Sequence, residues 1–131
     1  MPRMLSGHLQ GKILQMISKM INPAYIVEIG TYTGYSALCL AQGLTENGQL
    51  HTIEINDELE SIIRKYFAKS EIWKKIHLHI GNAKEIIIKL DDSIDLAFID
   101  GDKREYLEYY QLLIDKVKRG GFILADNVLW G

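Results

Sequence analysis

The chain has 131 residues, 47% of them hydrophobic and 24% charged, which are globular values for one domain large enough to bury a core. Its 15 basic and 17 acidic side chains leave a net charge of −2, which argues against nucleic acid or an anionic membrane as an electrostatic partner. The single cysteine, Cys39, excludes an internal disulfide and suits a reducing cytoplasm; no apolar run reaches the roughly 18 residues of a membrane span, and the N-terminus lacks a signal peptide's apolar core.

The first predicted element is an amphipathic helix over Leu9 to Met20, with Leu9, Ile13, Met16, Ile17 and Met20 on one stripe, ended by Asn22-Pro23. A strand follows at Tyr25 to Ile29, then a turn with Gly30 and Gly34, then a helix at about Tyr35 to Leu44. Asn47-Gly48 is a turn before a second strand, Gln49 to Ile55. A helix capped by Asn56 or Asp57 is expected to run to about Lys69. The third strand is Ile76 to Ile80, followed by Gly81-Asn82 and a helix at about Ala83 to Leu90. The fourth, Ile94 to Ile99, is apolar apart from Asp95 and stops at Asp100-Gly101-Asp102-Lys103. A helix from Arg104 to about Val117 leads through Gly120-Gly121 into a fifth strand, Phe122 to Ala125. Short apolar strands alternating with helices imply a parallel sheet covered on both faces, with right-handed crossovers.

In such sheets the ligand lies beyond the carboxyl ends of the strands. Those ends carry Glu28 and Gly30, Glu54, Gly81-Asn82-Ala83, Asp100 with Asp102, and Asp126-Asn127. Carboxylates gathered at one sheet edge repel each other unless cations or hydroxyl donors meet them. Glu28 is the anomaly, because a carboxylate inside an apolar strand is costly unless something binds it. A glycine turn, with a carboxylate at the end of the next strand, suits a ribose held through its hydroxyls. Asp100, Asp126 and Asn127 offer only oxygen ligands, which hard cations such as Mg²⁺ or Ca²⁺ prefer. The spacing G-x-x-x-G is not the dinucleotide fingerprint, and no P-loop is present. His51, His77 and His79 are read as structural, with no pair at convincing metal-ligand spacing, and Cys39 as a small core residue.

The segments VEIGTYTGYSAL, the acidic end of IEI, GNA, FIDGDK and ADNVLWG, with RMLSGHLQGKIL before them, resemble the motif series of cation-dependent, S-adenosylmethionine-dependent O-methyltransferases. The nearest group is that of caffeoyl-CoA and catechol O-methyltransferases and their bacterial relatives. The likeness covers about Met4 to Gly131. It implies a Rossmann-like doubly wound sheet in strand order 3-2-1-4-5, here lacking the family's C-terminal antiparallel strands. The resemblance implies that the Glu28 to Ser36 segment, with Gly30, Thr31, Tyr35 and Ser36, holds the methionine part, and that Met4 and Ser6 close over the cofactor. Glu54 would take the ribose hydroxyls, Ala83 would meet the adenine, and Asp102 and Tyr109 would stand near the amino-acid end. Asp100 would serve both cofactor and metal. Asp100, Asp126 and Asn127 would hold the divalent cation, usually magnesium in this family, and Lys103 occupies the place of the general base. A surface lysine is its bland rival.

The expected activity is methyl transfer to a hydroxyl of a small, catechol-like aromatic, in the cytoplasm, with no nucleic-acid or membrane partner and a homodimer left open. Family members continue after the fifth strand and begin before the first matched segment, so the chain is expected to be truncated at both ends. The alternative is a catalytically silent remnant that binds the cofactor or a partner chain through its open sheet edge.

Overall fold

A computed structural model describes the backbone of residues 2–100 and 103–125, and the side chains of residues 9–100 and 104–125. Five parallel strands form one sheet in the order β3-β2-β1-β4-β5, the order expected. They are β1 (Tyr25–Ile29), β2 (Gln49–Glu54), β3 (Ile76–Ile80), β4 (Ile94–Ile99) and β5 (Val117–Ala125). The helices are α1 (Pro2–Ile21), α2 (Tyr35–Ala41), α3 (Glu60–Ala68), α4 (Ala83–Lys89) and α5 (Tyr106–Ile114). None of the described helices is long and apolar enough to cross a membrane.

Successive side chains of a strand point to opposite faces, and each face here has its own core. Ile26, Leu50, Leu96 and Phe98 pack with Leu14 of α1, Leu40 of α2, and Ile63 and Phe67 of α3. Val27, Ile29, Ile53, Ala97 and Ile99 pack with Ile87 of α4 and Leu113 of α5. Cys39 lies in the first of these cores.

Helix α1 departs most from expectation. It starts at Pro2 rather than near Leu9, and its expected apolar stripe faces outward. Leu9 is 60% exposed, Met16 55% and Met20 78%. The buried row is Gly11, Leu14 and Ser18. These lie at helical spacing, and their small members let α2 approach closely. A Cβ on Gly11 would collide with the Tyr35 ring, and the Ser18 hydroxyl donates to the Leu40 carbonyl at 2.5 Å. Close helix contact, not maximal hydrophobicity, selects the packed face.

Other boundaries also move. Helix α2 stops at Ala41, because the N–H groups of Gln42, Gly43 and Leu44 turn back to the carbonyls three residues earlier. The helix expected from Asp57 opens as a 3-10 turn, Asp57–Leu59, with the Asn56 side chain accepting from the Glu58 N–H at 3.0 Å. A second 3-10 turn, Glu71–Lys75, has no counterpart in the sequence reading. Helix α5 ends at Ile114, and Val117 already pairs with Ile94. Strand β5 therefore starts before Gly120-Gly121, and an irregular register between Ile94 and Leu96 absorbs the extra residues.

At the amino edge of the sheet, Asp95 of β4 accepts from the N–H groups of Ala24 and Tyr25 at 2.8 and 2.9 Å and pairs with Lys118. Burial pushes this carboxyl's pKa up, but Lys118 and the two amides outweigh it and hold the pKa below the ordinary value. The one acid inside β4 thus clamps the chain entering β1.

The three strand histidines form one cluster. His51 stacks on His77 with ring centroids 4.6 Å apart and meets His79 end to end, centroids 5.1 Å apart. Burial first, and then the neighbouring His77 and His79, push the His51 pKa down to about 4, against a weaker opposing pull from Asp91. The unfolded chain binds this proton near 6.5 and the folded chain only near 4. His51 therefore supports the fold above the higher value, and its support is lost as pH falls toward the lower one. The urea midpoint of His51→Gln should change less between about pH 7 and about pH 5 than that of the parent chain; equal changes would remove His51 from this role.

Candidate functional site

The carboxyl ends of β1, β2 and β4 meet around the Gly30 turn. Strand hydrogen bonding continues into it: the Gly30 N–H donates to the Ile53 carbonyl at 2.8 Å, and the Asp100 N–H to the Ile29 carbonyl at 2.9 Å. Gly30 has φ 97°, and a Cβ there would overlap the Asp100 carbonyl oxygen. A side chain at this position is excluded twice, by backbone conformation and by space. Two residues on, Tyr32 takes a left-handed φ of 53°, and its ring lies against Gly30. Non-glycine residues hold such a conformation only when their surroundings impose it. Glu54 holds Tyr32 there in part: its Oε1 accepts from the Tyr32 N–H at 2.7 Å.

Glu54 is 3% exposed, and its Oε2 also accepts from the Asn56 N–H at 3.0 Å. A carboxylate offers about four lone-pair positions, so acceptor capacity remains. This residue ties the end of β2 to the glycine turn after β1.

Glu28 lies beneath the turn and is wholly buried. It faces Thr52, its register partner on β2. The Thr52 hydroxyl donates to its Oε1 at 2.6 Å, the Ser36 hydroxyl donates to Oε2, and Thr31 meets Thr52 at 2.6 Å. Burial pushes its carboxyl pKa up to about 8; the two hydroxyls pull it down, and nearby Asp100 and Glu54 add to the rise. Glu28 thus anchors Ser36 and, through Thr52, Thr31.

A cavity of about 130 Å³ opens above this layer, lined on one side by Thr31, Tyr32, Thr33, Tyr35, Ser36 and Asp100. Gln10, Gly11 and Leu14 of α1 close the other side. Four sequence-derived candidates, Thr31, Tyr35, Ser36 and Asp100, are therefore neighbours on one wall. Glu28 is behind that wall, and Gly30 shapes the turn. Ala83 is buried at the start of α4, beyond the end of β3, where the Asn82 side chain accepts from the Lys84 N–H at 2.9 Å. Tyr109 does not line this cavity; it packs with Ile99, Ala83 and Leu113 on the other face, and burial first, then Glu105, raises its pKa.

Met4 and Ser6 lie on α1, but their side chains are outside the described residues, as is that of Lys103, whose backbone opens the 3-10 turn Lys103–Glu105. Asp102, Asp126 and Asn127 are also outside them. Pairing of Ala125 with Ile99 brings the described ends of β4 and β5 level. Among the described residues, no three His, Cys, Asp or Glu side chains converge tightly enough to hold a metal ion.

The sequence reading did not single out Tyr32, Thr33, Gln10 or Gly11 as wall residues. Tyr32 and Thr33 lie inside the glycine turn, so the turn itself was the available signal. Gln10 and Gly11 reach the cavity only because α1 packs on α2.

A family profile described as O-methyltransferase matches residues 1–131. Caffeoyl-CoA O-methyltransferases of Zinnia elegans and Pinus taeda are each 39% identical over 127 residues, which is 92% of this chain and 52% and 49% of those proteins. The O-methyltransferase TomG from Streptomyces achromogenes, solved in complex with SAM, superposes with a TM-score of 0.88 at 30% identity, over 93% of this chain and 56% of that one. An O-methyltransferase from Bacillus cereus, solved with SAH, gives 0.88 at 29% identity, over 92% and 57%. The chain spans about half the length of the curated relatives it matches.

Proposed function

Because the chain belongs to the O-methyltransferase family, we propose that it carries the cofactor-binding half of an S-adenosylmethionine-dependent enzyme that methylates a hydroxyl. The acceptor is a small catechol-like aromatic, and a divalent cation, Mg²⁺ first, assists. The observation that carries this reading is the Gly30 turn held between Asp100 and Glu54, with a small cavity on its α2 side.

These residues fit the cofactor. Gly30 lets the turn lie close against the Asp100 carbonyl and leaves no side chain between its backbone and a ligand. Sites for whole drug-sized ligands run to roughly 300–1,000 Å³, so a cavity of about 130 Å³ matches one end of such a ligand, here the amino-acid end. Thr31, Ser36 and Asp100 supply polar groups on that wall. Glu54 has lone pairs left for the ribose hydroxyls, and Ala83 offers a small apolar contact for the adenine. The Tyr32 ring, which lies against Gly30, must yield to the ligand. Met4, Ser6, Asp102 and Tyr109 are assigned to the cofactor by resemblance alone. The cation fits the chemistry of an all-oxygen set, Asp100, Asp126 and Asn127.

When bound, the cofactor supplies an electrophilic methyl group, and the cation lowers the pKa of the acceptor hydroxyl. Lys103, when its ε-amine is in the neutral form, would accept the hydroxyl proton. The Gly30 turn and Glu54 would fix the cofactor's position, so that the chain contributes chiefly orientation.

Calorimetric titration of the chain with S-adenosylhomocysteine, with and without Mg²⁺, tests the reading. Saturable one-to-one binding supports it; a folded chain that binds nothing favours the silent remnant. Glu54→Ala should weaken binding by about 1–3 kcal/mol, the scale of a lost charged acceptor. Asp126→Ala should remove the response to Mg²⁺ and spare cofactor binding; a retained response would take Asp126 out of the metal set.

A further inference from the structure

Strands β2 and β3 place three imidazoles on the sheet face opposite Glu28 and Thr52. His51 pairs with His77 in register, and Ile53 with His79. His77 and His79 are two residues apart on one strand and so share a face. The Nδ1 of His51 and the Nε2 of His79 point at each other, 2.8 Å apart. The cofactor reading uses none of these groups.

We propose that His51 Nδ1 and His79 Nε2 chelate a transition-metal ion, Zn²⁺, Cu²⁺ or Ni²⁺, and so staple edge strand β3 to β2. Imidazole suits these ions, whereas Mg²⁺ prefers oxygen. The His51 ring is already held in place. His77 stacks on it at 4.6 Å and an interplanar angle of 16°, and Tyr25 meets it edge-on at 5.7 Å. His77 is itself tied to the Gln49 side chain. His51 and His79 are half-buried and His77 exposed, so an ion with its waters reaches the pair from solvent.

Two Zn–N bonds of about 2.0–2.1 Å at a tetrahedral angle hold the nitrogens about 3.3 Å apart. The present 2.8 Å separation must therefore open by about half an ångström, and the two rings, which now face each other, must tilt so that both lone pairs meet the ion. Strand β3 ends the described sheet, with no neighbour beyond it, so it can make that shift. The ring that donates the bridging N–H passes to its other tautomer through solvent, so that each neutral ring then carries its single N–H on the nitrogen facing away from the metal. The ion replaces the bridging hydrogen bond with no net proton release. Solvent completes the coordination, because no third ligand converges among the described residues.

The test is titration of the whole chain with ZnCl₂ in a non-chelating buffer containing a large excess of Mg²⁺. Saturable one-to-one binding that Mg²⁺ does not suppress is expected. His79→Asn should lose at least about tenfold in affinity, since even residues that only orient metal ligands cost 10- to 100-fold. His77→Asn, which removes a stacking partner and not a ligand, should lose less. A long-range ¹H–¹⁵N spectrum of the unaltered chain needs no variant: Zn²⁺ should shift His51 Nδ1 and His79 Nε2 most. No saturable binding, equal affinity in His79→Asn, or shifts confined to other histidines would each overturn the proposal.

Discussion

Gly30→Ala should destabilise the chain by about 2–5 kcal/mol and abolish binding of S-adenosylhomocysteine. Two costs add. An L-residue forced to a left-handed φ loses about 1–2 kcal/mol. Overfilling a packed site costs about 1–3 kcal/mol more, and here the obstacle is the Asp100 backbone carbonyl, which cannot rotate away as a side chain would. Gly120 separates the two terms. Its φ is 86°, also left-handed, but a Cβ there meets nothing within 4 Å. Gly120→Ala should therefore show the conformational cost alone, about 1–2 kcal/mol. Denaturant unfolding of both variants checks this. Equal losses would mean that the close approach of Gly30 to Asp100 carries no weight. Unchanged ligand affinity in Gly30→Ala would detach the turn from the cofactor.

Glu28 should give the chain an unusual pH dependence. Its carboxyl titrates near 4.5 when unfolded and near 8 when folded, chiefly because it is fully buried. The folded state thus holds a proton that the unfolded state releases. Its contribution is fully present below the unfolded value and is lost as pH rises through about 8. Each unit is worth about 1.4 kcal/mol, so the loss across that window is on the order of 3–5 kcal/mol. Glu28→Gln keeps the shape and cannot ionise, so the loss of stability toward pH 8 should be absent from it. Glu28→Ala should cost about 2–5 kcal/mol throughout, because it leaves a void and strips the Ser36 and Thr52 hydroxyls of their acceptor. Urea unfolding from about pH 5 to about pH 8.5 distinguishes the cases. His51 acts in the opposite sense at the acid end, so the comparison between Glu28→Gln and the parent chain isolates Glu28. Parallel curves for the two would show that Glu28 is ionised in the fold.

A dependence on Glu28 of this size also constrains the site. Ser36 and Thr31 line the cavity and are fixed from behind by hydrogen bonds that run through Glu28 and Thr52. The carboxylate inside β1 therefore acts on the cleft through the residues it positions.

The alternation of apolar strands with helices, the glycine turn after β1 and the acids at the strand ends were all legible in the sequence. Each is a local signal: strand periodicity, a residue tolerant of positive φ, a cap or a stop. The strand-end rule placed Gly30 and Asp100 at one edge, the family resemblance added Thr31, Tyr35 and Ser36, and the structure puts Thr31, Tyr35, Ser36 and Asp100 on one wall. Other features depend on which neighbour a residue meets, and that is settled only by packing. Glu28 was visibly anomalous, but its partner Thr52 lies across a strand pair. Tyr109, on α5, was carried over to the cofactor by resemblance, and only packing shows that it also belongs to the second core. The packed face of α1 is Gly11, Leu14 and Ser18 because α2 comes close, which hydrophobicity along one helix cannot reveal. His51, His77 and His79 looked unrelated until register brought them together. Local chemistry determined the elements and the edge where the candidate site lies; the rotation of α1 and the register of the strands, both set by long-range packing, decided which side chains touch.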